Sequence, residues 1–126
     1  MGKGYRDIEH LFPNVSHETW QRLAVFVALV EKWQKSINLI SPATLPFIWT
    51  RHIADSLQIA DLVDSPAVWV DLGSGGGFPG LVVAAALQEK THCQFHLVES
   101  DVRKGVFMRE AVRQMNVDAT IHTERA

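Results

Sequence analysis

The sequence predicts an α/β fold, in which an N-terminal helical region precedes the first half, β-α-β-α-β, of a doubly wound parallel sheet. Three observations predict it. Amphipathic helical patterns occupy the first half of the chain, and strand-like apolar runs alternate with helical stretches from Val68 onward. A glycine loop, residues 73–80, directly follows the first strand run. Open parallel sheets bind ligands at the carboxyl ends of their strands, so this loop predicts a site for a small-molecule or nucleotide cofactor.

Composition limits the class of protein. A length of 126 residues and a hydrophobic content of 47% suit one packed domain. The net charge of −2 neither supports nor excludes an RNA substrate. Cys93 is the single cysteine, which excludes an internal disulfide, and no cysteine-histidine cluster has zinc spacing, so no metal is predicted. The N-terminus lacks the apolar core of a signal peptide, and the apolar run 23–30 is too short for a bilayer. We therefore expect a soluble, cytoplasmic protein.

The first half of the chain is expected to be helical. Apolar residues recur at three- and four-residue steps over residues 18–40, with Ser16 as the N-cap. Lys32 and Lys35 are expected on the solvated face rather than in contact with RNA. A second helix is expected over about residues 46–62. The aromatic residues at helical spacing are expected in the core rather than against RNA bases: Phe26, Trp33, Phe47 and Trp49.

The second half alternates strands and helices. Val68, Trp69 and Val70 belong to an almost unbroken apolar run, typical of a parallel strand that is covered on both faces. The elements expected after it are a helix over 79–88, a strand over 94–99, a helix over about 103–115 and a strand over 119–123. This change of pattern divides the chain into a helical cap, residues 1–65, and a partial sheet domain, residues 66–126.

The glycine loop differs from the dinucleotide fingerprint G-x-G-x-x-G. Gly73 and Gly75 fit it, but Phe78 stands where close packing of helix and strand calls for Gly or Ala. Asp71 at the strand end is unfavourable beside a pyrophosphate and suits a cofactor with a positively charged amine, such as S-adenosylmethionine. Glu99 ends the next strand, where a carboxylate can accept both ribose hydroxyls of an adenosine; a solvated strand-end carboxylate is the alternative. A nicotinamide-dependent oxidoreductase is the less favoured class.

The chain resembles the RsmG (GidB) family along nearly its whole length. The matching segments, in family order, are residues 32–41 (KWQKSINLIS), 51–56 (RHIADS), 71–80 (DLGSGGGFPG) and parts of 99–109. The resemblance implies a bacterial class I, Rossmann-like methyltransferase that uses S-adenosylmethionine to methylate N7 of guanine 527 in the 16S ribosomal RNA of the small ribosomal subunit. Residues 66–126 would then be part of the cofactor-binding domain.

The loop and the resemblance together nominate site residues. The expected cofactor-binding residues are Asp71, Gly73, Gly75, Gly77, Phe78, Glu99 and Ala126. The weaker candidates for RNA contact are Arg51, His52, Arg103, Lys104 and Arg109. For Arg51 and His52 the favoured alternative is a hydrogen-bond network that fastens the helical cap to the sheet, and for the basic helix it is a solvated surface. No catalytic residue is predicted, because guanine N7 carries a lone pair and orientation supplies most of the catalysis.

The small number of predicted strands leads us to expect an open edge in the sheet. A doubly wound sheet places its first strand in the middle, and the later strands have no counterpart within residues 1–126. We therefore expect an open strand edge with exposed apolar surface, which suggests a truncated chain or self-association through that edge. A truncated, non-catalytic remnant of the family is the alternative to an active methyltransferase.

Overall fold

The computed structural model describes residues 4–63, 68–73, 75–88 and 93–125. In that part of the chain, a parallel sheet with strand order β1-β2-β3 is connected by helices. The strands are β1 (Val68–Leu72), β2 (Gln94–Glu99) and β3 (Thr120–Thr123), and the α-helices are α1 (His17–Trp33), α2 (Ala54–Asp61), α3 (Gly80–Leu87) and α4 (Val102–Met115). The predicted β-α-β-α-β order is confirmed, and β2 has the predicted bounds.

Helix α1 begins as predicted but ends earlier. The Oγ atom of Ser16 accepts a hydrogen bond from the backbone N–H of Thr19 at 3.1 Å, which satisfies one of the free donors of the first turn. At the other end, Oε1 of Gln34 accepts from the N–H groups of Leu39 and Ile40, at 2.9 and 3.1 Å. This side chain replaces helical backbone bonds, so the chain turns after Trp33 instead of continuing to Ile40.

The second predicted helix consists of three consecutive helical parts. A 3₁₀ turn (Leu45–Phe47) is followed by a π-helical turn (Trp49–Ile53) and then by α2. These turns depart from the 3.6-residue period, so the regular spacing does not decide which side chains face inward. Phe47 is 55% exposed, and its predicted place in the core is wrong. Trp49 and Phe26 are buried and Trp33 packs against the core, as predicted.

The described helices cover one face of the sheet. Phe95 and Leu97 point toward the helices and are buried, whereas Val68, Val70 and Leu72 are 56%, 56% and 63% exposed. The strands follow one another in sequential order, and right-handed crossovers between such strands place α3 and α4 on the same face of the sheet. This explains why one face is covered and the other is exposed. The prediction that β1 is covered on both faces is therefore wrong for the described residues. The predicted exposed apolar surface is confirmed, and self-association through it stays a prediction.

The helical cap and the sheet share one hydrophobic core. Helix α1 packs on α3 and α4, and α2 packs on α3. The predicted boundary near residue 65 falls among residues 64–67, which lie outside the described residues, so the division into two domains stays a prediction. Among the described helices, none has the length and apolar character needed to cross a membrane.

Candidate cofactor site

The glycine loop turns sharply at the carboxyl end of β1. Gly73, Gly75 and Gly77 have φ angles of 71°, 57° and 96°, a region that side-chain-bearing residues rarely adopt. The N–H of Gly73 still bonds the carbonyl of Val98 at 2.8 Å, so the first turn grows directly out of the sheet. A Cβ atom built on Gly73 would meet no heavy atom of the described residues within 4 Å. The backbone at this point therefore borders open space that a ligand can enter.

Glu99 holds this loop in place from the neighbouring strand. Its Oε1 atom accepts from the N–H of Gly75 at 2.7 Å, and its Oε2 atom accepts from the N–H of Asp101 at 2.9 Å. Both are charge-assisted bonds, and the residue is only 7% exposed. The alternative of a solvated carboxylate is therefore wrong. Each oxygen retains a second lone pair, so a role in holding a ribose stays a prediction.

Asp71 joins the end of β1 to the start of α3. Its Oδ2 atom accepts from the N–H of Gly80 at 3.0 Å, where a negative charge interacts favourably with the helix dipole. The helix was expected to begin at Pro79 and begins at Gly80 instead. A Cβ atom on Gly80 would lie 2.6 Å from that carboxylate oxygen and 2.7 Å from Cδ2 of Leu97. This junction therefore requires glycine, and the role of Asp71 toward a cofactor stays a prediction.

Phe78 fits the loop because the helical cap surrounds it with rings. Its ring centroid lies 5.1 Å from that of Phe26 on α1 and 5.1 Å from that of His52. The dinucleotide fingerprint demands a small residue here for close packing of helix and strand. In this chain an aromatic cluster between the cap and the loop takes the place of that close packing. Phe78 is half-buried, so part of its ring remains accessible.

His52 is held between the cap and the glycine loop. Its Nε2 atom lies 2.8 Å from Oγ1 of Thr44, and that hydroxyl donates to the carbonyl of Ser41 at 3.0 Å. Because the proton of the Thr44 hydroxyl is used in that bond, its oxygen must accept from His52. The network therefore assigns the imidazole N–H to Nε2. Burial lowers the pKa of His52, and the charge of Arg51 lowers it further against the opposing effect of Asp55. These contacts support the predicted network that fastens the cap to the sheet, while Arg51 is exposed and its contact with RNA stays a prediction.

The segment between α1 and the 3₁₀ turn also lies against the glycine loop. A Cβ atom on Gly76 would come within 2.8 Å of the carbonyl oxygen of Leu39. Gln34 fixes this segment, because its amide bonds the backbone of Leu39 and of Ile40. Sequence reasoning missed Gln34, and the one local signal was an amide side chain directly after the last helical residue.

The basic residues of α4 have different surroundings. Arg103 is exposed and Lys104 is half-buried in the first turn, which follows Glu99 and is capped by Asp101. Arg109 donates from Nη2 to the carbonyl of Ile121 at 3.1 Å and so ties the helix to β3. The structure thus brings Arg103 and Lys104 next to the candidate site, and it gives Arg109 a structural contact. Ala126 lies outside the described residues.

Fold and site together define a class. A parallel sheet in sequential order, with a glycine loop after its first strand and an acidic residue ending its second, is the first half of a Rossmann-like methyltransferase fold. The chain belongs to the GidB family, described as rRNA small subunit methyltransferase G, whose family model matches residues 19–126.

Individual relatives agree with this assignment. The chain is 58% identical over 113 residues to the "Ribosomal RNA small subunit methyltransferase G" of Parvibaculum lavamentivorans, which covers 89% of this chain and 50% of the relative. It is 53% identical to the protein of the same name from Bradyrhizobium sp. strain BTAi1, over 86% of this chain and 49% of the relative. The protein of that name from Bartonella bacilliformis is 46% identical, over 94% of this chain and 55% of the relative. The chain therefore spans about half the length of these relatives.

Proposed function

We propose that this chain contributes the cofactor-binding half of an S-adenosylmethionine-dependent methyltransferase that modifies N7 of a guanine in small-subunit ribosomal RNA. The observation that carries the proposal is the turn at Gly73 and Gly75, which borders open space and is fixed by the buried carboxylate of Glu99. The name shared by the relatives supports ribosomal RNA as the substrate. With that substrate, the cytoplasm is the compartment that the proposal implies.

The residues around the loop fit the proposed cofactor chemically. When bound, S-adenosylmethionine supplies a methyl group on a positively charged sulfur. Gly73 and Gly75 would let the ligand approach the backbone, and the remaining lone pairs of Glu99 would accept from ribose hydroxyls. Asp71 would offer negative charge to the amine, and the accessible part of the Phe78 ring would form an apolar wall.

The proposed methyl transfer depends on orientation rather than on a catalytic residue. Guanine N7 carries a lone pair, so no proton has to be removed before the methyl group is accepted. Positioning two reactants correctly can by itself lower a barrier by several kcal/mol, about 7 to 11 in favourable cases. The proposal therefore assigns binding and orientation to these side chains, and it names no general acid or base.

A pair of variants at positive φ tests the cofactor site. Gly73→Ala would place a side chain at φ 71° in the open space, whereas Asn116→Ala exchanges one side chain for another at φ 58° at the end of α4. The first substitution costs about 1 to 2 kcal/mol of folding free energy from left-handed backbone strain, and the second costs less because asparagine already carries a Cβ atom there. We expect the binding of S-adenosylmethionine, measured by calorimetry on the purified protein at its natural length, to fall at least tenfold in Gly73→Ala alone.

The control and a second ligand separate the possible results. Asn116→Ala should bind S-adenosylmethionine as the unmodified protein does, because this left-handed position lies at the end of α4 and not in the loop. NAD should not compete, since Phe78 occupies the third position of the dinucleotide fingerprint. Equal affinity in Gly73→Ala and the unmodified protein would refute the site, and competitive binding of NAD would favour the oxidoreductase class.

A further inference from the structure

A groove with two cationic side chains lies beside the candidate cofactor site. It has a volume of about 480 Å³ and runs between the carboxyl end of α1 and the first turns of α4. Residues that line it include Lys32, Trp33, Ser36, Val102, Arg103 and Val106. Its volume is within the range of sites that hold small organic ligands, roughly 300–1,000 Å³. The groove is thus large enough for one nucleotide unit.

The walls of the groove suit a planar, apolar ring. The indole of Trp33 is half-buried, and its contact with Phe107 (centroids 5.5 Å apart, planes at 62°) fixes its orientation. On the other side, Val102 and Val106 lie one turn apart on the same face of α4, and they are 65% and 49% exposed. An aromatic side chain with adjacent exposed apolar surface is a common platform for an unpaired base.

The charges around the groove select an anionic ligand. Lys32 and Arg103 are both exposed, and no acidic side chain is among the described residues that line the groove. The charge of Lys32 acts on the carboxylate of Glu110, but this side chain is bonded to Arg113 and Gln114, which together hold its pKa at about 2. The two cations are therefore available to phosphate groups, which suits a nucleic-acid backbone.

We propose that this groove binds a nucleotide of single-stranded RNA that flanks the methylated base, with its base against Trp33 and its phosphate against Lys32 and Arg103. This inference rests on the proposed function, because it takes the RNA substrate from there. It adds a subsite on the helical cap. Helix α4 begins three residues after Glu99, so the groove opens beside the loop where the cofactor is expected.

Binding of a labelled RNA tests the groove without any need for catalysis. The probe is a fluorescein-labelled single-stranded RNA of about ten nucleotides, and its affinity for the purified full protein is measured by fluorescence anisotropy over a series of salt concentrations. Replacing Lys32 and Arg103 by glutamine should lower the affinity at least fivefold. It should also reduce the slope of log K against log salt by about 0.7, since the groove neutralises one phosphate and each neutralised phosphate on a single strand contributes about 0.7.

Three further substitutions keep the test independent of folding. Val102→Glu places a negative charge in the groove from a 65% exposed position, so it should weaken RNA binding with no loss of stability. Its matched control is Leu62→Glu at a position that is 83% exposed and remote from the groove in sequence. Lys35→Gln removes an exposed charge just after α1 that does not line the groove, and it should change the affinity less than twofold.

The possible results distinguish this inference from the proposed function. Weaker RNA binding with unchanged affinity for S-adenosylmethionine supports the groove, whether or not the protein methylates ribosomal RNA. Unchanged RNA affinity and salt slope in the groove variants would overturn it, and so would a protein that does not bind the probe at all. A parallel loss of cofactor affinity would also overturn it, because the groove would then belong to the cofactor site.

Discussion

Replacing Glu99 by glutamine tests whether this carboxylate holds the glycine loop. The carboxylate accepts two backbone N–H bonds, at 2.7 Å from Gly75 and 2.9 Å from Asp101, and only 7% of the residue is exposed. Glutamine has nearly the same shape but a single acceptor oxygen, so one of the two N–H groups must face an NH₂ group. A hydrogen bond to a charged partner contributes about 1.5–3 kcal/mol, and a buried donor without a partner costs about 1–3 kcal/mol.

We therefore expect Glu99→Gln to lower the free energy of unfolding by about 3 kcal/mol. Urea unfolding measures it, and with a slope of roughly 1–3 kcal/mol per molar the midpoint should fall by about 1–3 M. The amide protons of Gly75 and Asp101 should exchange faster with solvent, because one bond is lost and the other is weakened.

Glu31→Gln provides the matched control for this experiment. Glu31 lies on the exposed surface of α1, where the same chemical change should leave the urea midpoint unaltered. Equal midpoints in the two variants, together with unchanged amide exchange at Gly75, would refute the assignment of Glu99 as the residue that fixes the loop.

Two further predictions follow from the same contacts. Burial lowers the pKa of His52 below its ordinary value of 6.5, so the unfolded chain binds a proton at this imidazole more readily than the folded chain does. The stability that the neutral imidazole contributes is therefore present above about pH 6.5, and it is lost as the pH falls through the lowered pKa. Urea unfolding at several pH values should therefore show a weaker pH dependence in His52→Gln than in the exposed control His17→Gln, and equal dependence would contradict the assignment. A Cβ atom on Gly105 would lie 2.5 Å from Oγ1 of Thr123, a buried hydroxyl with no hydrogen-bond partner among the described residues. Gly105→Ala should cost about 1–3 kcal/mol and Thr123→Ala much less, and the double variant should recover most of the loss; additive effects in thermal unfolding would exclude the clash.

Elements that depend on local sequence were predictable. Strand β2 has the predicted bounds, because its alternating side chains match a sheet with one buried face. The N-cap at Ser16 was predicted from a short-range pattern of hydroxyl side chain and helix start. The end of α1 and the exposure of Phe47 were not predicted, since a side-chain bond from Gln34 and a run of 3₁₀ and π turns overrule the helical period.

The candidate site divides in the same way. The glycine loop, Asp71 and Glu99 could be nominated because chain order alone places strand ends at one edge of a parallel sheet. The resemblance to the family added the segment around Leu39 and also His52, which was expected to contact RNA or to join a network that fastens the cap to the sheet. In the structure His52 packs on Phe78, and the carbonyl oxygen of Leu39 comes within 2.8 Å of where a Cβ atom of Gly76 would be.

By itself, the sequence determined the order of strands and helices, the position of the glycine loop and the acidic residues that end the strands, because periodicity and backbone preferences act over a few neighbouring residues. Only the tertiary structure decided which segments meet at the loop. The bond from Gly75 to Glu99 joins residues 24 positions apart, and the groove beside it is formed by helices from opposite halves of the chain. Such contacts arise from packing between distant segments, and no local preference encodes them.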